Sequence, residues 1–233
     1  MAHWVDSKLV GGVSEVTLFT PIKQGTVPGE SRTYEERLGD ELASVQRRIL
    51  AGRPTPIGRI ASIHFARWVI LVPGHYLHYD PDGIVAGHAY RSWLLFTSNF
   101  DGDMKSYLND FSAFLADDVD RIWGNCEGYP PEGSRNFDAY WAYAKKHQLT
   151  TQAFYSGYPG LSVARVHELA TFRQLFDAFV AATRRSDGNS IEGLPAAFDR
   201  FLTRATAFPQ HFPALGGTYD PTRSIANAES GGS

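Results

Sequence analysis

The chain has 233 residues, 43% of them hydrophobic and 20% charged, which is a globular composition and neither a disordered nor a fibrous one. Lys and Arg number 22 against 25 Asp and Glu, for a formal net charge of −3, so the basic footprint of a nucleic-acid protein is missing. One cysteine, Cys126, excludes an internal disulfide and an all-cysteine metal site, and no apolar run approaches the ~20 residues needed to span a bilayer.

The opening residues show no charged segment leading into an apolar one, so no signal peptide is expected and the expected compartment is the cytoplasm. Residues 1–13 read as a loose arm ending at Gly11-Gly12. Val13–Pro21 is β-branched and aromatic and predicts a strand that Pro21 stops. A Gly- and Pro-containing loop follows, and then a helix over Thr33–Leu50. Thr33 and Glu36 have capping-box spacing, and Leu38, Leu42, Val45 and Ile49 share one face. Ile60–Val72 is the strongest predicted strand. His75–His88 is a connection rich in Gly, Pro and Asp, and Trp93–Phe100 predicts the next strand.

Asp103–Ile122 predicts one helix, with Tyr107, Phe111, Leu115 and Val119 on one side. A short aromatic helix over Phe137–His147, a fourth strand over Thr151–Tyr158 and helices over Leu161–Thr183 and Pro195–Ala207 complete the reading. Residues 216–233 are turn-formers and small polar residues, and a disordered tail is expected there. The main elements give an α+β chain with the ferredoxin-like βαββαβ order and additional C-terminal helices, in a single domain over 14–215. Helices in such a fold cover one sheet face. The other face needs a partner, a terminal extension or a ligand. The 13% share of aromatic residues suits a large core or an apolar pocket equally.

Several residues could carry chemistry. In the strand around Ile60–Val72, strict alternation puts His64 with Ser62, Ala66 and Trp68, and Arg67 on the opposite face with Ile63, Phe65 and Val69. A bulge would be needed to bring His64 and Arg67 together. A buried imidazole is an acid, a base or a ligand, or else a core histidine satisfied by a hydroxyl or carbonyl. Asn99 and Asp101 stand where the next strand ends, at the mouth of a cleft beside the sheet. Asp101 there would be a general acid or base, while Asp101 or Asp103 would otherwise cap the following helix. Cys126 reads as a buried inert thiol, and Glu127 as a general acid or a loop cap. Tyr129 and Tyr158, each followed by proline, are placed at one pocket mouth. His75, His78 and His88 share a loop with Asp80 and Asp82, without a metal-ligand spacing. No phosphate loop, dinucleotide fingerprint, nucleophile elbow or zinc-protease motif occurs.

The stretches His64-Phe65-Ala66-Arg67-Trp68, Leu95-Phe96-Thr97-Ser98-Asn99-Phe100-Asp101-Gly102 and Trp123-Gly124-Asn125-Cys126-Glu127-Gly128-Tyr129-Pro130 resemble a group of largely uncharacterised bacterial proteins associated with the dimeric α+β barrel superfamily. The resemblance covers roughly residues 14–160. Within that superfamily, dye-decolourising peroxidases carry Gly-x-x-Asp-Gly. Ser98-Asn99-Phe100-Asp101-Gly102 matches its aspartate and second glycine but has Ser98 for the first glycine. The resemblance implies a homodimer and a haem-binding, peroxidase-like oxidoreductase, with haem held against the open sheet face. His167 is the first choice of axial ligand, then His64 and His147. Trp68 and Tyr158 would line the cofactor, and Arg67 and Asp101 would polarise peroxide. Two other readings stand beside it. One is a cofactor-free enzyme acting on an apolar or aromatic small molecule, with His64 as base and Arg67 or Asn99 holding an oxyanion. The other is a non-catalytic dimeric module that buries Ser62, His64 and Trp68 between chains.

Overall fold

A computed structural model describes residues 9–76, 91–184 and 194–206. The sequence readings for His78, Asp80, Asp82, His88 and the 216–233 tail lie outside the described residues. The chain divides into two compact units, Met1–Val166 and His167–Ser233.

In the first unit, the expected loose arm instead contributes a strand. β1 (Leu9–Val10) turns back into β2 (Val13–Pro21) through Gly11 and Gly12, both at positive φ. Two left-handed residues are what a two-residue hairpin turn requires. α1 (Tyr34–Leu50) starts at Thr33, whose hydroxyl accepts from the Glu36 N–H while the Glu36 carboxylate accepts from the Thr33 N–H. This reciprocal cap contributes about 1 kcal/mol. A 3₁₀ turn (Pro56–Arg59) leads to β3 (Ile63–Leu71) and a single-turn α2 (Pro73–Tyr76). β4 (Trp93–Asp101) returns between β2 and β3, antiparallel to both, in the sheet order β1-β2-β4-β3. β2, α1 and β3 therefore form a split βαβ unit with β4 inserted between the two parallel strands.

The predicted helix over Asp103–Ile122 is two helices. α3 (Met104–Phe114) and α4 (Ala116–Trp123) meet at Leu115, which leaves helical geometry at φ −125° and ψ 12°. Asp117 and Asp118 then occupy the first turn of α4, where the helix dipole favours acids. α5 (Phe137–His147) forms as expected. The expected fourth strand does not form: Thr151–Tyr158 carries no strand. β1 already occupies the outer edge of β2 at Val13 and Ser14, and the chain leaving α5 meets that edge by a bridge between Gln148 and Leu18 and the Leu149 N–H donated to Thr17.

The core lies on one face of the sheet. Val16 and Leu18 from β2, Leu94, Phe96 and Phe100 from β4, and Ala66, Trp68 and Ile70 from β3 pack against Leu38, Leu108, Phe111, Val119, Trp123 and Tyr140 from the four helices. Each fully buried large side chain contributes about 1.5–3 kcal/mol of transfer free energy. The opposite face carries Glu15, Thr17 and Phe19, then Trp93, Leu95, Thr97, Asn99 and Asp101, and on β3 Phe65, Arg67 and Val69. It has apolar members in contact with solvent, with Phe65 at 76% and Val69 at 38% exposure.

α6 (Val163–Arg184) begins in the first unit and runs through the second, which also holds α7 (Leu194–Ala205). Both lie within two residues of the expected helices. Phe172, Phe179 and Phe201 form their shared aromatic seam, with ring centroids 5.8 and 5.3 Å from Phe201.

Candidate functional site

The site begins with an irregularity in β3. Ile63 pairs with Phe100, but Phe65 pairs with Asn99, so His64 is an extra residue in the ladder. A bulge turns the extra side chain to the same side as its successor. Ile63 therefore joins the core side, and His64 lies with Phe65, Asn99 and Asp101 on the open side. This corrects the reading from strict alternation, which grouped His64 with Trp68 and Ala66. It also removes the expected separation of His64 from Arg67, because both now belong to the open face.

The bulge is held by a buried polar chain. The Ser98 hydroxyl donates to the Phe65 carbonyl at 3.0 Å, and the Tyr107 hydroxyl lies 2.7 Å from Ser98. Ser98 spends its proton on the carbonyl, so Tyr107 is the donor to Ser98. Burial holds the Tyr107 phenol well above its ordinary pKa, in keeping with a phenol that stays neutral and donates.

Across the bulge, His64 Nε2 is 2.8 Å from Asp101 Oδ1. The second oxygen, Oδ2, accepts the Val163 N–H at 2.8 Å, and the Asp101 N–H donates to the Ser62 carbonyl at 2.9 Å. Both carboxylate oxygens thus act as acceptors, and the ring proton is assigned to Nε2–H. In the neutral tautomer this leaves the Nδ1 lone pair free. The His64 and Asp101 side chains are 16% and 24% exposed. Val163 is the first residue of α6, and a carboxylate accepting its N–H is favoured by the helix dipole. Asp103 takes the capping role for α3, accepting from the N–H groups of Lys105 and Ser106. Asp101 is free of that duty.

Arg67 is exposed on the same face, and its Nε donates to Thr97 Oγ1 at 2.7 Å. Asn99 is half-buried opposite Phe65 and Glu15. His64, Arg67, Asn99 and Asp101 therefore share one sheet face. Trp68 does not join them, since it packs on the core side 5.2 Å from the Phe96 ring. Tyr158 is 76% exposed in the loop before α6. Tyr129 is not at a shared mouth with it, because the Tyr129 hydroxyl donates to Asp120 Oδ1 at 2.5 Å among the packed helices. His167 is exposed in the second unit. His147 is half-buried against Tyr143, and burial holds its imidazole below the usual value. His75 is exposed on α2. Cys126 is fully buried, its thiol pushed up to about 11 by burial, so it is neither a ready nucleophile nor a ready thiolate ligand. Glu127 forms an ion pair with Arg91 at 2.8 Å.

An axial haem ligand needs a ring nitrogen free to face an enclosed cleft. His64 Nε2 is already engaged by Asp101, and His167 stands exposed. A ligating imidazole ordinarily donates its other ring N–H to a carboxylate, so the His64–Asp101 contact suits a ligand as well as a base. Among the described residues, no cluster of three or more His, Cys, Asp or Glu could hold a metal ion, and no helix is long and apolar enough to cross a membrane.

Sequence reasoning named a bulge as the condition for joining His64 and Arg67 but did not place it, and it missed the Val163 N–H and the Ser98–Tyr107 support. The available signal was Ser98, a polar residue on the apolar face of β4 with no assigned partner. Comparison with protein-family models, with curated proteins and with solved structures finds no match for this chain.

Proposed function

We propose that the open sheet face is the site of a cofactor-free enzyme in which His64 acts as general base, with Asp101 orienting it. The observation that carries this reading is the 2.8 Å contact between His64 Nε2 and Asp101 Oδ1 at the β3 bulge. With Nε2–H donated to the carboxylate, Nδ1 accepts a proton, and the imidazolium that forms is stabilised by Asp101. Such an arrangement contributes about 10²–10⁴-fold to a proton transfer. The substrate class is a small apolar or aromatic molecule with an acidic C–H beside a carbonyl. Phe65, Val69 and Leu95 offer its ring an apolar bed, and Arg67 offers the developing oxyanion a positive charge. A second copy of this chain over the open face would exclude water, as the exposed Phe65 and Val69 favour.

Hydrogen–deuterium exchange of benzoylacetone in D₂O, followed by proton NMR, tests this reading. His64 removes the proton between the two carbonyls, and a deuteron returns to the same carbon. The expected result is exchange about tenfold or more above an equal concentration of imidazole, lost in His64→Gln. Exchange no faster than imidazole, or undiminished in His64→Gln, overturns the reading. So does a sharp Soret band on hemin addition that disappears in the same variant. Sedimentation at micromolar concentration is expected to show a dimer that Phe65→Lys dissociates.

A further inference from the structure

The second unit holds a groove between its two helices. Ala178 and Ala182 stand one turn apart on α6, and Ala197 of α7 lines the same groove. Methyl groups therefore stand where longer side chains would close it. Phe179 and Phe201 also line it, stacked with ring centroids 5.3 Å apart and planes at 30°. The enclosed space is about 120 Å³, less than the ~150 Å³ cavity that takes up benzene. A few methylenes of a straight chain fit it better than a ring does.

Arg200 and Arg204 line this groove from the α7 side. They lie one turn apart and both are exposed, and like charges at this spacing repel. Among the described residues, no hydrogen bond or ion pair engages either guanidinium. The nearby acids do not meet them. Asp177 is held by Arg173 at 2.9 Å. Asp199 immediately precedes Arg200, and adjacent side chains on a helix do not face each other. An alkyl-lined groove with two uncompensated cations along one side is the complement of an apolar chain that ends in an anion.

We infer that the groove between α6 and α7 binds a free, single-chain carboxylate of the medium-chain fatty acid class. The carboxylate accepts from the Arg200 and Arg204 guanidinium groups, the charge-assisted pairing that arginine favours. Its first methylenes lie along Ala178, Ala182 and Ala197, against the Phe179 and Phe201 rings. The small enclosed volume admits one chain rather than the two of a membrane lipid. The groove lies wholly in the second unit and does not depend on the reaction proposed at His64.

Calorimetric titration of the full-length protein with octanoate, octanol and acetate tests the inference, since octanol keeps the chain without the charge and acetate the charge without the chain. Octanoate is expected to bind about tenfold or more tightly than either, and less tightly as salt is added. The double variant Arg200→Gln/Arg204→Gln is expected to lose that preference over octanol. Ala182→Trp, at an exposed position, fills the groove and is expected to weaken octanoate binding about tenfold while both arginines remain. Equal affinity for octanol or acetate, no octanoate binding below its micelle threshold, or unchanged affinity in either variant overturns the inference. Pelleting with phosphatidylglycerol vesicles in place of octanoate binding would assign the two arginines to a membrane surface and overturns it as well.

Discussion

Replacing Asp101 with asparagine gives a sharp test of the site, because the side chain keeps its shape and loses only its charge and one acceptor. In the native chain the carboxylate accepts from His64 Nε2 and from the Val163 N–H, both at 2.8 Å. Hydrogen bonds to a charged group contribute about 1.5–3 kcal/mol and neutral ones about 0.5–1.5 kcal/mol. Two such downgrades sum to about 2 kcal/mol, and partial exposure of both side chains reduces this to about 1–2 kcal/mol. Asparagine can still accept the Val163 N–H through its oxygen, so the first turn of α6 survives. Its amide nitrogen then faces His64 and donates, which moves the ring proton from Nε2 to Nδ1. The general base is thereby blocked. Urea denaturation should show the stability loss without a change in slope. Nitrogen-15 spectra of labelled histidine should show His64 switching tautomer. An unchanged tautomer together with unchanged stability would mean that the His64–Asp101 pair is not formed in solution, and the proposed mechanism falls with it.

Ser98→Ala is expected to destabilise the protein by about 1–3 kcal/mol, because the Phe65 carbonyl and the Tyr107 hydroxyl both lose their partner; a loss under 0.5 kcal/mol by denaturant titration would show that the bulge does not need this support. Gly133 sits at φ +75°, and a Cβ there would lie 2.6 Å from Asp120 Oδ2, so Gly133→Ala should cost about 2 kcal/mol in the same assay through backbone strain and displacement of that carboxylate, whereas a neutral result would contradict the packing around Asp120. Burial raises the pKa of Tyr107, Tyr129, Tyr140 and Tyr143 and pushes Cys126 up to about 11. The folded state therefore favours their neutral forms, and this share of stability is complete below about pH 9 and is lost as pH rises further. Absorbance at 295 nm should show these four phenols ionising only together with cooperative alkaline unfolding, and Cys126 should stay inert to thiol reagents until then; smooth titration of all eleven tyrosines in the folded state would contradict the burial of these four.

The elements that could be read from the sequence are those fixed by short-range chemistry. Val13–Pro21, the Thr33 cap and Phe137–His147 each carry their own start, period and stop, and all three form at the expected residues. The expected strand over Thr151–Tyr158 fails for a reason that lies far away in the chain. Residues 9 and 10 reach the outer edge of β2 first, and nothing near residue 151 records that competition. The split between α3 and α4 was written locally, in Asp117 and Asp118, but two acids inside a continuous apolar stripe read equally well as a solvated helix face.

The bulge is the most instructive case, because the site depends on it. From Ala66 onward the core-side residues of β3 are Ala66, Trp68 and Ile70, all at even positions, whereas Ile63 on the same side is odd. The change of parity between residues 63 and 66 is present in the sequence. It is masked because Phe65 and Val69, on the opposite face, are also apolar, so hydrophobicity alone does not say which parity is buried. A strand apolar on both faces has its register set by its neighbours. Here β4 sets it through Phe100 and Asn99, and Ser98 supplies the hydroxyl that meets the Phe65 carbonyl. The apolar outer face that hides the bulge from a sequence reading is the same surface that would seat an apolar substrate beside His64. A strand with a polar outer face would have shown its register plainly, and it would have offered such a substrate no bed.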